Sequence, residues 1–259
     1  MKKIKVYDLP TRLFHWLFVL LFLSSFFIAK YIDDDSWIYA YHMLSGLLMA
    51  FLIILRVVWG LVGSKYARFS SFRLAPRELV DYLSSIVNSK TRRYVGHNPA
   101  SSYAAIAMFL LTIGLVITGL LMSFGIFEDF FEEIHELLSN SFVIIAILHV
   151  AGLVFHEIKH KDGLVFSIVT GKKDLVGQKE GIGNNHLFAG IIFVGLVLSF
   201  IFYLASNYKS STQKLNLFGT QVRLGETEHG EHNKHGKRGG DHDDHDDDYD
   251  DDDDDDDDD

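Results

Sequence analysis

Residues 130–157 read FFEEIHELLSNSFVIIAILHVAGLVFHE, an apolar stretch with His135 near one end and His149 near the other. Written as an α-helix, the fourteen residues from one to the other rise about 21 Å and fall about 40° short of four full turns, so both imidazoles leave the same face. A hydrocarbon core about 30 Å thick would then hold one histidine in each leaflet. Imidazole is a good iron ligand, and a haem takes one axial donor on each side of its iron. Each of these histidines therefore needs a partner from another helix.

The rest of the chain is consistent with a membrane setting. Of 259 residues 48% are hydrophobic, yet the C-terminal stretch is almost wholly polar, so the apolar residues are concentrated before it. They fall into five runs long enough to cross a bilayer as helices, at about 13–30, 37–62, 103–126, 135–157 and 186–205. The expected fold class is an all-α integral membrane protein. It has a transmembrane domain over residues 1–206, made of a four-helix haem-binding bundle and a fifth transmembrane helix, and a disordered Asp/His-rich tail over 207–259. The net charge of −10 belongs to that tail; without it the body is mildly basic. There is no cysteine, which excludes disulfides, iron–sulfur clusters and covalent C-x-x-C-H haem, leaving b-type haem. The basic start (Lys2, Lys3, Lys5) before an apolar run resembles a signal peptide, but the run is long and no A-x-A site follows, so it reads as a retained span.

Loop charges orient the spans. Lys2, Lys3, Lys5 and Arg12 precede the first and Asp33, Asp34 and Asp35 follow it. Basic residues crowd the loops after the second span (Lys65, Arg68, Arg73, Arg77) and the fourth (Lys159, Lys161, Lys172, Lys173), whereas the connection 128–133 is acidic. The expectation is a multi-pass protein of the bacterial inner membrane, N-terminus cytoplasmic and C-terminus periplasmic. On that topology His15, in YDLPTRLFHWLFV, shares the inner leaflet with His149, and His42 shares the outer leaflet with His135. Any one of the four alone reads as a hydrogen-bonded polar residue; together they sort by depth into two pairs, which favours two haems. His156 and His160 continue the His149 face but stand among Glu157, Lys159 and Lys161, where solvated interfacial histidines are expected; His186 has the same reading.

Other residues acquire roles around this frame. Arg56 lies fourteen residues after His42, at the depth of the inner pair, where a haem propionate or a path to the surface would satisfy its charge. Gly46, Gly60, Gly114, Gly119 and Gly152 suit either a flat macrocycle or close helix packing. An amphipathic helix over Pro76–Val87 suits the interface. In Gly96-His97-Asn98-Pro99, the Asn-Pro pair reads as a helix start, while His97 and Asn98 can also hydrogen-bond a quinone carbonyl. The tail histidines (His229, His232, His235, His242 and His245) among Asp can bind divalent metals loosely, or the tail is a solvated acidic segment.

These stretches resemble the prokaryotic cytochrome b561 family, which includes the cytochrome b subunits of membrane-bound nickel–iron hydrogenases. The likeness rests on YDLPTRLFHWLFV, on His42 with Gly46 and Arg56-Val57-Val58-Trp59-Gly60, on Gly96-His97-Asn98-Pro99 and on the His135/His149 spacing; it covers about residues 6–205 and omits the acidic tail. It implies a four-helix core with two b-type haems and quinone exchange near the cytoplasmic one. With both axial positions taken by histidine, such an iron keeps no open site for substrate. The expected function is electron transfer between the quinone pool and a periplasmic partner such as a c-type cytochrome, as a quinone-linked oxidoreductase or a subunit of one. The alternative is a membrane anchor of a hydrogenase or another periplasmic dehydrogenase. A metal transporter would need carboxylates beside the intramembrane histidines, and the span interiors lack them. No nucleic-acid partner is expected, and a homodimer stays open.

Overall fold

The computed structural model describes residues 3–87, 94–161, 163–174 and 181–224. Five of its helices are long and apolar enough to cross a membrane: α1 (Leu9–Tyr31), α2 (Ala40–Val62), α4 (Pro99–Ser123), α5 (Glu128–His160) and α7 (Leu187–Asn207). Two shorter ones, α3 (Pro76–Val87) and α6 (Leu164–Thr170), lie between them. The helix α3 has the bounds expected of the amphipathic piece.

Local chemistry explains where the spans begin. Asp8 caps α1, its Oδ1 accepting the Thr11 N–H at 2.9 Å, and Pro10 in the first turn has no N–H to leave unpaired. The helix therefore starts earlier than its apolar run. Asn98 caps α4 in the same way, accepting the Ser101 N–H at 2.8 Å ahead of Pro99. The acidic residues 128–133, expected in a connection, form the first turns of α5 instead. Carboxylates are favourable there because unpaired N–H groups leave a helix start partially positive. The connection shrinks to residues 124–127, with Gly125 and Phe127 in the left-handed region.

In the bundle α1 packs on α2, α4 on α5, and α2 on α4, while α7 lies against α1 and α2. Leu48, Leu52, Phe193 and Val197 form one core cluster, extended by Leu13, Phe14, Leu17, Phe18 and Leu21 of α1. Large apolar residues such as Leu20, Ile54, Val58, Ile147 and Phe202 remain exposed. That surface suits lipid, where outward apolar side chains carry no penalty. The glycines divide. A Cβ on Gly60 would stand 2.3 Å from the Phe69 ring and one on Gly114 would stand 2.9 Å from Leu138, so both serve close packing, whereas Gly46 and Gly152 face no atom within 4 Å.

A small sheet stands at each end of the bundle. Strand β1 (Lys3–Lys5) pairs antiparallel with β2 (Lys172–Asp174), joining the N-terminus to the segment after α6. At the far end of α7, β3 (Tyr208–Lys209), β4 (Lys214–Leu217) and β5 (Thr220–Arg223) form a three-stranded antiparallel sheet. This corrects the expectation of a polar linker and disordered tail beginning at residue 207: residues 208–224 are folded, and 225–259 lie outside the described residues. The reason is a short alternation. Leu215, Val222 and Leu224 turn inward and join Ala40 and Leu204 in a core cluster. Leu217 pairs with Thr220 across Phe218-Gly219, both at positive φ, a two-residue loop whose twist matches the strands. Phe218 is held in that conformation by stacking on Tyr203 at 5.2 Å, and its N–H donates to the Tyr203 hydroxyl at 2.7 Å.

Two substitutions test this packing. Gly60→Ala forces its methyl into the Phe69 ring and is expected to cost about 1–3 kcal/mol, seen as a lower melting temperature in detergent, whereas Gly195→Ala, with open space around it, leaves stability unchanged. Leu215→Ala is expected to cost about 2–5 kcal/mol and to open residues 208–224 to limited proteolysis while α1 to α5 stay resistant.

Candidate functional site

The structure brings the rings of His42 of α2 and His135 of α5 together edge-on, centroids 6.1 Å apart and planes inclined by 66°. Each ring is anchored by its outer nitrogen. The His42 Nδ1–H donates to the Ser25 carbonyl of α1 at 2.9 Å, with the Ser25 hydroxyl also 2.9 Å away. The His135 Nδ1–H donates to Thr118 Oγ1 of α4 at 2.8 Å, and that hydroxyl passes its own proton to the Gly114 carbonyl at 3.0 Å. These bonds assign both rings the Nδ1–H tautomer and leave both Nε2 lone pairs free. All four helices contribute to this site.

The arrangement fits a metal held between the rings. Two metal–imidazole bonds of about 2.0–2.1 Å plus half a ring on each side amount to roughly 6 Å. Outward hydrogen bonds from Nδ1 are the usual means by which a ligating imidazole is oriented. Among the described residues no three His, Asp or Glu side chains gather around one point. Gly119 backs His135, a Cβ there reaching its Cε1 at 3.6 Å.

The second pair lies at the other end of α5. His15 of α1 and His149 are electrostatic neighbours, and His97 is a neighbour of both Arg56 and His149. Arg56 does not reach the surface: it is only 7% exposed, which removes the snorkelling alternative. Its Nη2 donates to the Ala67 carbonyl at 2.9 Å, and its guanidinium lies 4.9 Å over the Phe69 ring. The buried Asp8 carboxylate supplies opposite charge nearby and accepts the Trp59 Nε1–H at 3.1 Å. Arg56 Nη1 is buried without a partner. His97 stands between the rings of Tyr7 (5.9 Å) and Phe72 (4.7 Å), its Nδ1 also enclosed without a partner. Burial first, then the Arg56 charge and then His149, lower its pKa to about 4, so it is neutral at physiological pH. Two unpartnered polar atoms beside this pair fit an anionic edge such as a haem carboxylate.

The remaining expectations divide. Asn98 is buried in capping, its carbonyl oxygen also accepting the Ser102 hydroxyl at 3.0 Å. His156 is buried, against the expectation of a solvated residue, and its ring lies tilted against that of His160, centroids 4.6 Å apart. His186 stands at the start of α7 with its ring against Trp59. Sequence reasoning passed over Ser25, Thr118 and Phe142. Phe142 is buried midway between His135 and His149, 4.2 Å from Phe22. A signal for the hydroxyls existed: Ser25 precedes His42, and Thr118 precedes His135, by the same seventeen residues.

Comparison with known proteins gives the family. The sequence model of the family described as prokaryotic cytochrome b561 matches residues 6–171. A probable Ni/Fe-hydrogenase B-type cytochrome subunit of Rhizobium leguminosarum bv. viciae is 25% identical over 66% of this chain and 89% of its own length. A probable Ni/Fe-hydrogenase 1 B-type cytochrome subunit of Escherichia coli (strain K12) is 26% identical over 44% of this chain and 57% of its own. A Rhodobacter capsulatus protein of the former description is 22% identical over 65% and 80%. No solved structure matches the chain. With five apolar helices and paired intramembrane histidines, the chain belongs to the prokaryotic cytochrome b561 family, as a multi-pass membrane b-type cytochrome of electron transfer.

Proposed function

We propose that this cytochrome carries electrons across the bacterial cytoplasmic membrane between the quinone pool and a periplasmic redox partner, with two b-type haems held by His15 with His149 and by His42 with His135. The observation that carries this reading is the outer pair: two imidazoles 6.1 Å apart, each with Nδ1 tied outward and Nε2 free. Haem held there by His42 and His135 would supply one-electron redox chemistry. The chain's own residues do the rest. Ser25 and Thr118 fix the rings, and the unpartnered Arg56 Nη1 would receive an anionic group of the haem that His15 and His149 would hold. His97 offers the quinone contact on the cytoplasmic side, while Asn98 serves that contact only by capping α4.

Loop charge supports the orientation proposed, with the N-terminus inside and the sheet β3–β5 outside. The acidic start of α5 favours a basic periplasmic partner, such as a c-type cytochrome, through long-range attraction. The names of the relatives favour a second reading, a membrane subunit serving a hydrogenase; a large subunit that co-purifies with the chain separates the two. Loose divalent-metal binding by the acidic His-rich tail remains a proposal on residues outside those described.

The deciding measurement is a reduced-minus-oxidised visible spectrum of the purified protein together with haem per chain. Two low-spin b haems are expected, with one lost in His15→Ala and the other in His42→Ala; a colourless protein overturns the reading. Thr118→Val removes the acceptor that orients His135 and is expected to weaken retention of the outer haem by about 10–100-fold. Thr118→Ser retains it. Transfer of haem to an excess of a haem-scavenging protein measures both.

A further inference from the structure

A cavity of about 620 Å³ opens where α2 ends and α4 begins, and three cations, Lys65, Arg68 and Arg73, line it together with Ser70, Tyr94 and His97. Among the described residues no carboxylate lines it. Arg73 is shared with Glu78 at 3.1 Å and lies 5.0 Å over the Tyr94 ring. Lys65 rests on the Tyr66 ring at 5.7 Å, and among the described residues neither Lys65 nor Arg68 has a carboxylate within ion-pair distance. Three like charges converging on one concavity repel one another, and an anion seated among them reverses the sign of that interaction.

The position of the cavity says which anion. Lys65 follows the last residue of α2 by three positions and His97 immediately precedes the cap of α4, so the opening is level with the ends of two membrane-spanning helices. Beside it α3 turns Tyr82 inward against Tyr94 at 5.8 Å. The same helix and the chain leading into it leave Leu74, Val80 and Leu83 exposed by 44%, 64% and 48%. Apolar side chains exposed beside a cationic cavity belong at the depth where acyl chains meet head groups. Tyr66 and Tyr94 suit that depth as well, since amphipathic rings collect at the membrane–water boundary.

We infer that this cavity binds the phosphate of an anionic phospholipid head group, with Lys65, Arg68 and Arg73 as its cationic rim. A guanidinium fork matches phosphate oxygens in pairs and an ammonium adds a point charge. Arg73, half occupied by Glu78, is held in place by that bond and by the Tyr94 ring. Lys65 and Arg68 carry the unpaired charge and therefore the selectivity. A neutral quinone ring gains little from such a rim, and the phosphate leaves it the enclosed His97 at the base of the cavity. Lipid at this rim would tie the loop that follows α2, which bears Phe69 and the Ala67 carbonyl under Arg56, to the composition of one leaflet. The inference rests on the membrane placement of the spans and not on haem number.

The test uses the full chain in nanodiscs of phosphatidylcholine alone or mixed with phosphatidylglycerol, with bound lipid counted by native mass spectrometry after release. Phosphatidylglycerol is expected to be retained in preference to phosphatidylcholine. That preference falls about fivefold in Lys65→Gln or Arg68→Gln and roughly 30-fold in the double variant, while circular dichroism and melting temperature hold steady. Equal retention of the two lipids, or a double variant as selective as the parent, overturns the site. Displacement of phosphatidylglycerol by an equal concentration of glycerol phosphate overturns the lipid as its source and assigns the same cations to a soluble phosphate. The readout is lipid, so the result stands apart from the haem assignment.

Discussion

Two hydrogen bonds govern the organisation of the His42–His135 site, those that fasten the two rings by their Nδ1 atoms to Ser25 and Thr118. An imidazole inside a bilayer must satisfy its N–H within the protein, because hydrocarbon offers no partner. Once that proton is given to a neighbouring helix, the other nitrogen is left with its lone pair bare. The requirement also explains why four helices are needed. Two carry the rings and two supply the acceptors, and losing any one leaves a polar group unmet at membrane depth.

The α5 face facing α1 then acquires its pattern. His135, Phe142, His149 and His156 follow at intervals of seven, and of these Phe142 and His156 are buried. Seven residues nearly complete two turns, so the stripe stays on one side of the helix. Phe142 fills the middle of it against Phe18 and Phe22. The two histidine pairs are thereby separate places on one helix.

Most of this was legible from the residues. Spans, caps at Asn98-Pro99, the amphipathic α3 and the pairing of His42 with His135 all follow from spacing and hydropathy, because these features are local or depend on depth alone. What escaped depends on tertiary partners. A serine or threonine within an apolar run looks the same whether its hydroxyl folds back on its own helix or accepts from an imidazole across a helix pair. The acidic start of α5 looked like a loop because charge was weighed and helix-terminal electrostatics were not. The hairpin over 208–224 was missed because its inward residues, Leu215, Val222 and Leu224, are few and find their partners on α2 and α7. His156 read as solvated because its neighbours in sequence are charged, whereas its own side chain turns inward.

The two small sheets impose an order on how the chain can be assembled. Strand β1 lies within the first five residues, yet its partner β2 is more than 160 residues downstream, past four membrane-spanning helices. The N-terminal strand must therefore wait, unpaired, until those helices have been made. The hairpin waits in turn on α7, because Leu215 and Val222 find their core on Leu204 and on Ala40 at the start of α2. The two rims of the bundle thus close in sequence, the first when β2 meets the waiting β1 and the second when β3 to β5 settle on α7 and α2, and a nascent chain arrested before residue 172 would have neither clasp.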